Sequence, residues 1–559
     1  MSAAERARRP RAWPLGLAAL FAGALALRLV GVRHGLPYVY NADENAHFVP
    51  LAIGMYGHSL NPGYFINPPA FTYLLHLAFG LRWGFDRAAI GDAFAADPGG
   101  AFTIARVLAG GLGALAATLL AIAGARLFDR RTGIVAGVLG AVAFLPVHYG
   151  HLALNDVPAL APLCVALVGV AGVLRRGRTL DFALAGGGLG VAVATKYTEG
   201  IVLVPLLAAA ALAPVPATAR LRGLALAGVL ALAGFAVANP YAILDHTAFL
   251  DGLRKQSEAS ADGGGKLGLS ESNGLAYYLA TTTWGLGWLP ALAALGGAVG
   301  LALRDRRAAL VLVPGPIVFL VFMGAQDRFF ARWLLPVYPL ACLLAAWGAV
   351  HAAAWLAGRA REHWRAAAWP AVAAGALLAA QGLVFAAHND LVLARADTRQ
   401  LARQWMVAHI PAGGKVVIEP IAPAQWAMDP QGPSRATSTG NRWNKWPTSR
   451  SGGKVVKLED YERTLDPSLV ERYRRGGYCH VVTGSTQYGR ALAQPDRVPG
   501  AIAYYRALRA AADVAYAVSP EPTGARPVRF SFDFSFNAYP LSSDRPGPQI
   551  TIYRLRRCG

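Results

Sequence analysis

The chain has 559 residues, 55% of them hydrophobic and only 15% charged, with a formal net charge of +21. That composition excludes an ordinary soluble enzyme and makes a membrane protein the starting class. The excess Lys and Arg lies in short clusters between apolar runs rather than along one polar face, which argues against nucleic acid as a partner and for membrane topology.

Behind Arg6, Arg8, Arg9 and Arg11, the apolar run 13–32 is long enough to span a bilayer. The following Val30-Gly31-Val32-Arg33-His34 offers no small-residue cleavage site, so the run reads as an uncleaved first helix. Further apolar segments of about 20 residues recur to about Ala387, giving about eleven transmembrane helices. Basic clusters at 126–131, 175–178, 220–222, 304–307 and 359–365 fall at every second boundary. The inside-positive rule then places those clusters and the amino terminus in the cytoplasm. The opposite boundaries, near Arg33, His148, Lys196, Tyr241, Gln326 and His388, face outward.

Two outer loops are long. Loop 33–100 contains semi-apolar stretches at 44–58 and 68–83 suited to helices lying in the interface, and loop 241–273 has a glycine-rich tip at 262–265. From about Asp390 the composition turns polar. Short β-like runs at 415–419, 478–482 and 549–553, with helical stretches at 397–409 and 467–475, predict a mixed α/β domain. Segment 431–454, rich in Gly, Ser, Arg and Trp, reads as an exposed loop. The expected architecture is a polytopic α-helical membrane domain, residues 1–387, followed by an extracytoplasmic α/β domain, residues 388–559. Cys164 and Cys342 lie in apolar runs, whereas Cys479 and Cys558 both fall in the outer domain, where a disulfide is chemically allowed.

The first outer loop carries the adjacent carboxylates Asp43 and Glu44 just beyond a membrane helix. Carboxylates are costly near hydrocarbon, so they are either functional or paired. A tuned carboxylate suits a general base that takes a proton from an acceptor hydroxyl; capping of the following helix is the alternative role for Asp43. Downstream, Asn67-Pro68-Pro69 fixes the backbone where an aromatic-rich helix starts.

With these, the segments Leu154-Asn155-Asp156-Val157-Pro158, Ala194-Thr195-Lys196-Tyr197-Thr198 and Arg332-Trp333-Leu334-Leu335-Pro336-Val337-Tyr338-Pro339 complete a set. In its order and common side of the membrane, that set resembles the GT-C glycosyltransferases. The bacterial branch related to protein O-mannosyltransferases and the aminoarabinose transferase of lipid A is the most similar. The resemblance covers the membrane region and implies an inverting transfer of a hexosyl or pentosyl group from a polyprenyl-phosphate sugar. It implies Asp43 as catalytic base beside Glu44, and Asp156 as a second acidic residue that positions acceptor or loop, or that caps the next helix. Relatives of the aminoarabinose transferase carry lysine before the two prolines, where this chain has Asn67, a departure that bears both on a phosphate contact at this site and on aminoarabinose as the sugar.

A lipid-phosphate donor needs cations at the interface, and Lys196, Arg332 and Arg328 are basic residues on the side where the inside-positive bias disfavours them. Snorkelling to headgroups is their alternative role. His47, His148 and His151 stand at spacings that a divalent metal could use. No metal or other cofactor is required, because the leaving phosphate already carries stable charge. Trp284 and Trp288 fit an interfacial belt, and Trp443 and Trp446 are candidate acceptor contacts. The expected partners are a polyprenyl-phosphate sugar, membrane lipids and a protein, lipid or glycan acceptor. High Ala, Gly and Arg usage fits a bacterium of GC-rich genome, and hence its inner (plasma) membrane. The rival reading is a flippase for polyprenyl-linked sugars, which would show gating features on both sides; here the long loops and unusual charges lie on one side.

Overall fold

A computed structural model describes residues 3–261, 267, 273–360, 369–428, 440–447, 450–451, 454–455, 458–525, 530 and 540–558. The loop tip 262–265, part of the basic cluster 359–365 and most of segment 431–454 lie outside the described residues.

Among the described residues, seven helical stretches are long and apolar enough to cross a bilayer: Ala12–Leu29, Pro98–Leu127, Ala217–Ala238, Gly274–Arg304, Arg306–Gly324, Ala331–Gly358 and Trp369–His409. The pair Arg130–Val142 and Phe144–Gly150, bent by 53°, adds an eighth. The bend sits at Ala143, whose ψ of 126° leaves the helical region three residues before Pro146, which has no N–H to return to Val142. Three shorter apolar helices, Leu160–Arg175, Thr179–Thr195 and Tyr197–Ala211, complete the set. Each of the eleven segments expected from hydropathy coincides with one of these elements. The protein is a polytopic helical membrane protein.

The basic clusters share one end of the bundle. Arg175 donates to Leu127 O at 2.8 Å and pairs with Asp305 at 2.7 Å, while Arg307 donates to Leu212 O. Between helices the seam is made of small residues. A Cβ on Gly186 would lie 2.1 Å from Ala227 O, and one on Gly190 2.1 Å from Ala231 O, so Thr179–Thr195 and Ala217–Ala238 meet backbone to backbone.

In the first outer loop the two expected helical stretches resolve into Ala42–Ala46, Val49–Gly54 and Ala70–Trp83. A further helix, Arg87–Ala96, capped by Asp86, was not anticipated. The last membrane helix runs through position 387 to Leu393, and Asp397 then caps Thr398–His409 with a complete capping box.

The carboxy-terminal domain is built on a five-stranded sheet. In spatial order its strands are Asn444–Lys445, Lys415–Ile418, His480–Gly484, Ile550–Leu555 and Ala512–Val518. The first two pairings are parallel and the last two antiparallel. Alternation along the strands buries both faces. Val417 and Val481 join Tyr461, Tyr473, Tyr504 and Leu508 on one side, while Val416, Ile418, Val482 and Ile552 join Met406, Trp426 and Trp443 on the other. Helices Ser485–Ala493 and Pro499–Ala511 and the strand Ala512–Val518 are additions to the expected set. Cys479 and Cys558 form a disulfide that joins the start of the central strand to the chain end.

That disulfide closes a loop of 79 residues in the sheet domain. Cys479→Ser is expected to cost the domain about 2–5 kcal/mol. Limited proteolysis under denaturant titration measures this, and a midpoint unchanged from wild type would show that the bond contributes nothing.

Candidate functional site

At the end of the bundle opposite the basic clusters, the helices and the carboxy-terminal domain enclose a cavity of about 1550 Å3. The charged centre of its membrane-side wall comes from four stretches of chain far apart in sequence.

The first is the short helix Ala42–Ala46. Asn41 starts it by accepting from Glu44 N at 3.1 Å, so Asn41 rather than Asp43 is the cap, and Asp43 is left to face the cavity. The segment is bracketed by two buried non-glycine residues at positive φ, Val39 at 48° and Phe48 at 30°. Such conformations cost on the order of 1–3 kcal/mol each and persist only where packing imposes them.

Adjacent Glu44 points the other way. It is fully buried and forms a two-pronged pair with Arg106, at 2.7 and 2.8 Å, while accepting from Ala153 N at 2.8 Å. Arg106 also donates to Val32 O and His34 O, both at 2.8 Å. The expectation that Glu44 shares the chemistry is corrected on this ground: every oxygen is committed to protein donors, and its work is to anchor the loop on helix Pro98–Leu127.

The second and third stretches meet each other. Asn155 donates to Thr195 O at 2.7 Å, closing the end of helix Thr179–Thr195. This sets Asp156 beside Lys196, and the two buried side chains form an ion pair. Asp156 is thus not a helix cap; the next helix begins at Leu160. The fourth stretch is the 3-10 turn Ala331–Val337. Its Arg332 donates to Asp43 at 2.5 Å, lies 3.7 Å from Asp156 and covers the ring of Phe330. The result is a chain of alternating sign, Asp43–Arg332–Asp156–Lys196, with every member on the cavity wall. The Arg332 guanidinium holds the Asp43 carboxyl below the usual carboxylate range, against a smaller opposing effect of burial.

Arg328, Asn67 and Pro68 also line the cavity, Asn67 donating to the Tyr64 hydroxyl at 2.9 Å. Pro69 starts helix Ala70–Trp83 and is not on the wall. His47 stacks on Tyr64 at 4.6 Å, and burial lowers its pKa. His148 bonds Asn389, and His151 lies between Val30 O and Asp390. Among the described residues no three His, Cys, Asp or Glu side chains gather as a metal-binding group. Trp443 and Trp446 are corrected as acceptor contacts: Trp443 is buried with its indole donating to Ile410 O, and Trp446 packs on Tyr473 and Tyr478.

Sequence reasoning missed Glu199. It is fully buried, interacts electrostatically with Lys196 and Asp156, and has neither oxygen hydrogen-bonded among the described residues. The available signal was a carboxylate within an apolar run three residues after Lys196.

The family model described as dolichyl-phosphate-mannose-protein mannosyltransferase matches residues 97–241, which include Asp156 and Lys196. Among solved structures, ArnT from Cupriavidus metallidurans bound to undecaprenyl phosphate is 14% identical, with a TM-score of 0.50 over 97% of this chain and 98% of that one. The archaeal oligosaccharyltransferase AglB from Archaeoglobus fulgidus, in complex with an inhibitory peptide and a dolichol-phosphate, is 13% identical, with a TM-score of 0.52 over 95% and 75%. No curated protein sequence matches the chain. The fold is that of the GT-C glycosyltransferases.

Removing Glu44 leaves Arg106 buried and unpaired, which in general costs about 3–5 kcal/mol. Glu44→Ala should therefore lower the melting temperature in detergent sharply, whereas Asp43→Asn, at a half-exposed side chain whose partner Arg332 keeps Asp156 at 3.7 Å, should lower it less. Equal melting temperatures for the two variants would contradict the anchoring role.

Proposed function

We propose that this chain transfers a sugar, with inversion, from a polyprenyl-phosphate carrier to an acceptor hydroxyl on the outer side of the membrane, with Asp43 as general base. The observation that carries the proposal is the alternating charge chain on the cavity wall. Phosphate needs cations, and Arg332 and Lys196 stand within one network with a carboxylate suited to accept a proton. The GT-C fold and the polyprenyl phosphates in the ArnT and AglB structures support the donor class. The disulfide and the segregated basic clusters support an outer site, since disulfides persist in oxidising compartments and Lys and Arg favour the cytoplasmic side.

In the reaction the acceptor oxygen attacks the anomeric carbon as its proton passes to Asp43. The bond between that carbon and the phosphate oxygen breaks, and its electron pair stays on the phosphate. The carrier goes from a monoanionic diester to a phosphate monoester with a second negative charge, which Arg332 and Lys196 are placed to meet. Asp156 holds both cations in position, and Arg328 adds positive charge at the rim. In the free protein Arg332 is engaged by Asp43. An arriving phosphate competes for that guanidinium, so donor binding both releases the base and, by its own charge, raises its proton affinity.

Turnover requires ionised Asp43, so activity is lost as pH falls through its pKa. In the free protein that pKa is depressed by Arg332. The acid limb of kcat/KM for the donor is expected below the ordinary carboxylate range of about 4, and the acid limb of kcat at a higher pH; coincident limbs would refute the competition for Arg332. With reconstituted protein and a panel of radiolabelled polyprenyl-phosphate sugars, Asp43→Asn should reduce release of polyprenyl phosphate roughly 100- to 10,000-fold. Undiminished release would place the base elsewhere, and lipid movement without release would favour a flippase.

A further inference from the structure

The cavity wall opposite the charge chain belongs to the carboxy-terminal domain, and its chemistry is different. It centres on helix Ser485–Ala493, which leaves the central strand at Gly484. The entry to this helix is fixed from two sides. Gly484 N donates to Glu419 at 2.9 Å, and Glu419 is itself held by the Tyr505 hydroxyl at 2.7 Å. Ser485 exchanges two bonds with Gln549: its amide donates to Gln549 O at 2.8 Å, and its hydroxyl accepts from Gln549 N at 3.0 Å.

No side chain caps this helix. Its first turn places Ser485, Thr486 and Gln487 on the cavity wall. Gln487 is 2% exposed, and its amide orientation is set because Nε2 donates to Pro420 O at 3.1 Å. Its Oε1 is therefore an acceptor, buried and without a hydrogen-bond partner among the described residues. Such an orphan carbonyl costs on the order of 1–3 kcal/mol, and the residue that bears it lines the cavity, from which a ligand can bring the missing donor. Beside it, Phe530 lies against the helix at Gly489, where an added Cβ would come within 2.8 Å of the ring, and Phe530 too lines the cavity.

These groups are neutral, polar and aromatic, and the charged residues on the same wall have partners within the domain: Asp397 pairs with Arg399, and Glu521 accepts from Ser519. The one arginine on this helix is turned to buried Glu462 at 3.4 Å, so it is neutralised within the domain. Uncapped amides donate, an orphan oxygen accepts, and an aromatic ring offers a face to C–H groups. A sugar ring, with hydroxyls that both donate and accept and with an apolar face, satisfies all three at once; a lipid tail satisfies only the last.

We propose that helix Ser485–Ala493 seats a carbohydrate acceptor, one of whose hydroxyls donates to Gln487 Oε1 while another is presented across the cavity to Asp43. This deepens the glycosyltransferase reading and rests on it. The acceptor is then a glycan rather than a protein side chain or a simple lipid.

The test uses the full chain reconstituted in lipid, a radiolabelled undecaprenyl-phosphate sugar as donor, and envelopes of the producing cells separated into polysaccharide, protein and lipid fractions. Label is expected in polysaccharide. Gln487→Ala should raise the polysaccharide concentration for half-maximal transfer about tenfold, the factor that one hydrogen bond supplies, with binding of undecaprenyl phosphate itself as the check on folding. Should that variant fail the check, Thr486→Val is read in the same way. Label in protein or lipid, or an unchanged polysaccharide requirement in a folded variant, would overturn the acceptor assignment alone. Absence of any transfer by wild type across the donor panel would overturn the glycosyltransferase reading beneath it.

Discussion

Everything at the cavity end of this protein depends on the pairing of charges at the ends of its apolar helices. Asp43, Arg332, Asp156 and Lys196 come from segments up to 289 residues apart, yet each is neutralised by the next. A charge left single at this depth would carry a heavy desolvation penalty. The pairing therefore constrains four backbone segments simultaneously: the short helix after Asn41, the turn at Asn155, the end of helix Thr179–Thr195 and the 3-10 turn at Arg332. Within that chain of charges two carboxylates stand against two cations, so an anion that binds Arg332 or Lys196 competes with a carboxylate.

The loop that carries Asp43 is held from two directions. Inward, Glu44 is locked to Arg106 on a membrane helix. Outward, the Arg399 guanidinium lies 3.6 Å from the centre of the Tyr40 ring, and Gln400 donates to Leu36 O at 2.9 Å. Arg399 and Gln400 belong to the first helix of the carboxy-terminal domain, whose capping residue Asp397 pairs with Arg399 at 2.7 Å. The carboxy-terminal domain is thus in contact with the residues directly before the candidate base. His388 and Arg395 extend this contact to Pro540 and Asp544. A strained loop, with Val39 and Phe48 at positive φ, is sustained by such over-determination on both flanks.

Hydropathy and the placement of Lys and Arg were enough to find every apolar segment, because crossing a bilayer demands length and apolarity that sequence displays directly. The resemblance carried the residues of the charge chain. What could not be read was direction. Asp43 and Glu44 are chemically alike and adjacent, and only the cap at Asn41 and the position of Arg106 decide which faces the cavity and which the interior. Helix Ser485–Ala493 was overlooked because Ser-Thr-Gln-Tyr-Gly lacks an apolar period and includes glycine mid-helix, where propensity is poor. Trp443 and Trp446 misled for the opposite reason: large aromatics in a polar stretch suggest binding, but here the sheet of a small domain needed them as core.

The two walls of the cavity divide the chemistry in a way that follows from where each is built. Under the proposed reading the membrane-side wall sets its cations, Lys196 and Arg332, against a lipid phosphate. Its neutral hydrogen-bonding groups, Asn41, Asn67 and Asn155 among them, stand in loops and turns, since each would be costly within an apolar helix. The carboxy-terminal domain is not under that constraint. Its sheet is buried on both faces, so the polar groups it offers a ligand must come from the ends of strands and the first turns of helices, and Gly484 to Gln487 occupy such a junction. A transfer between a lipid-bound and a polar substrate requires both kinds of surface to face one volume. Contact between Tyr40 and Arg399 keeps them in register, since it joins the loop of the candidate base to the domain bearing helix Ser485–Ala493.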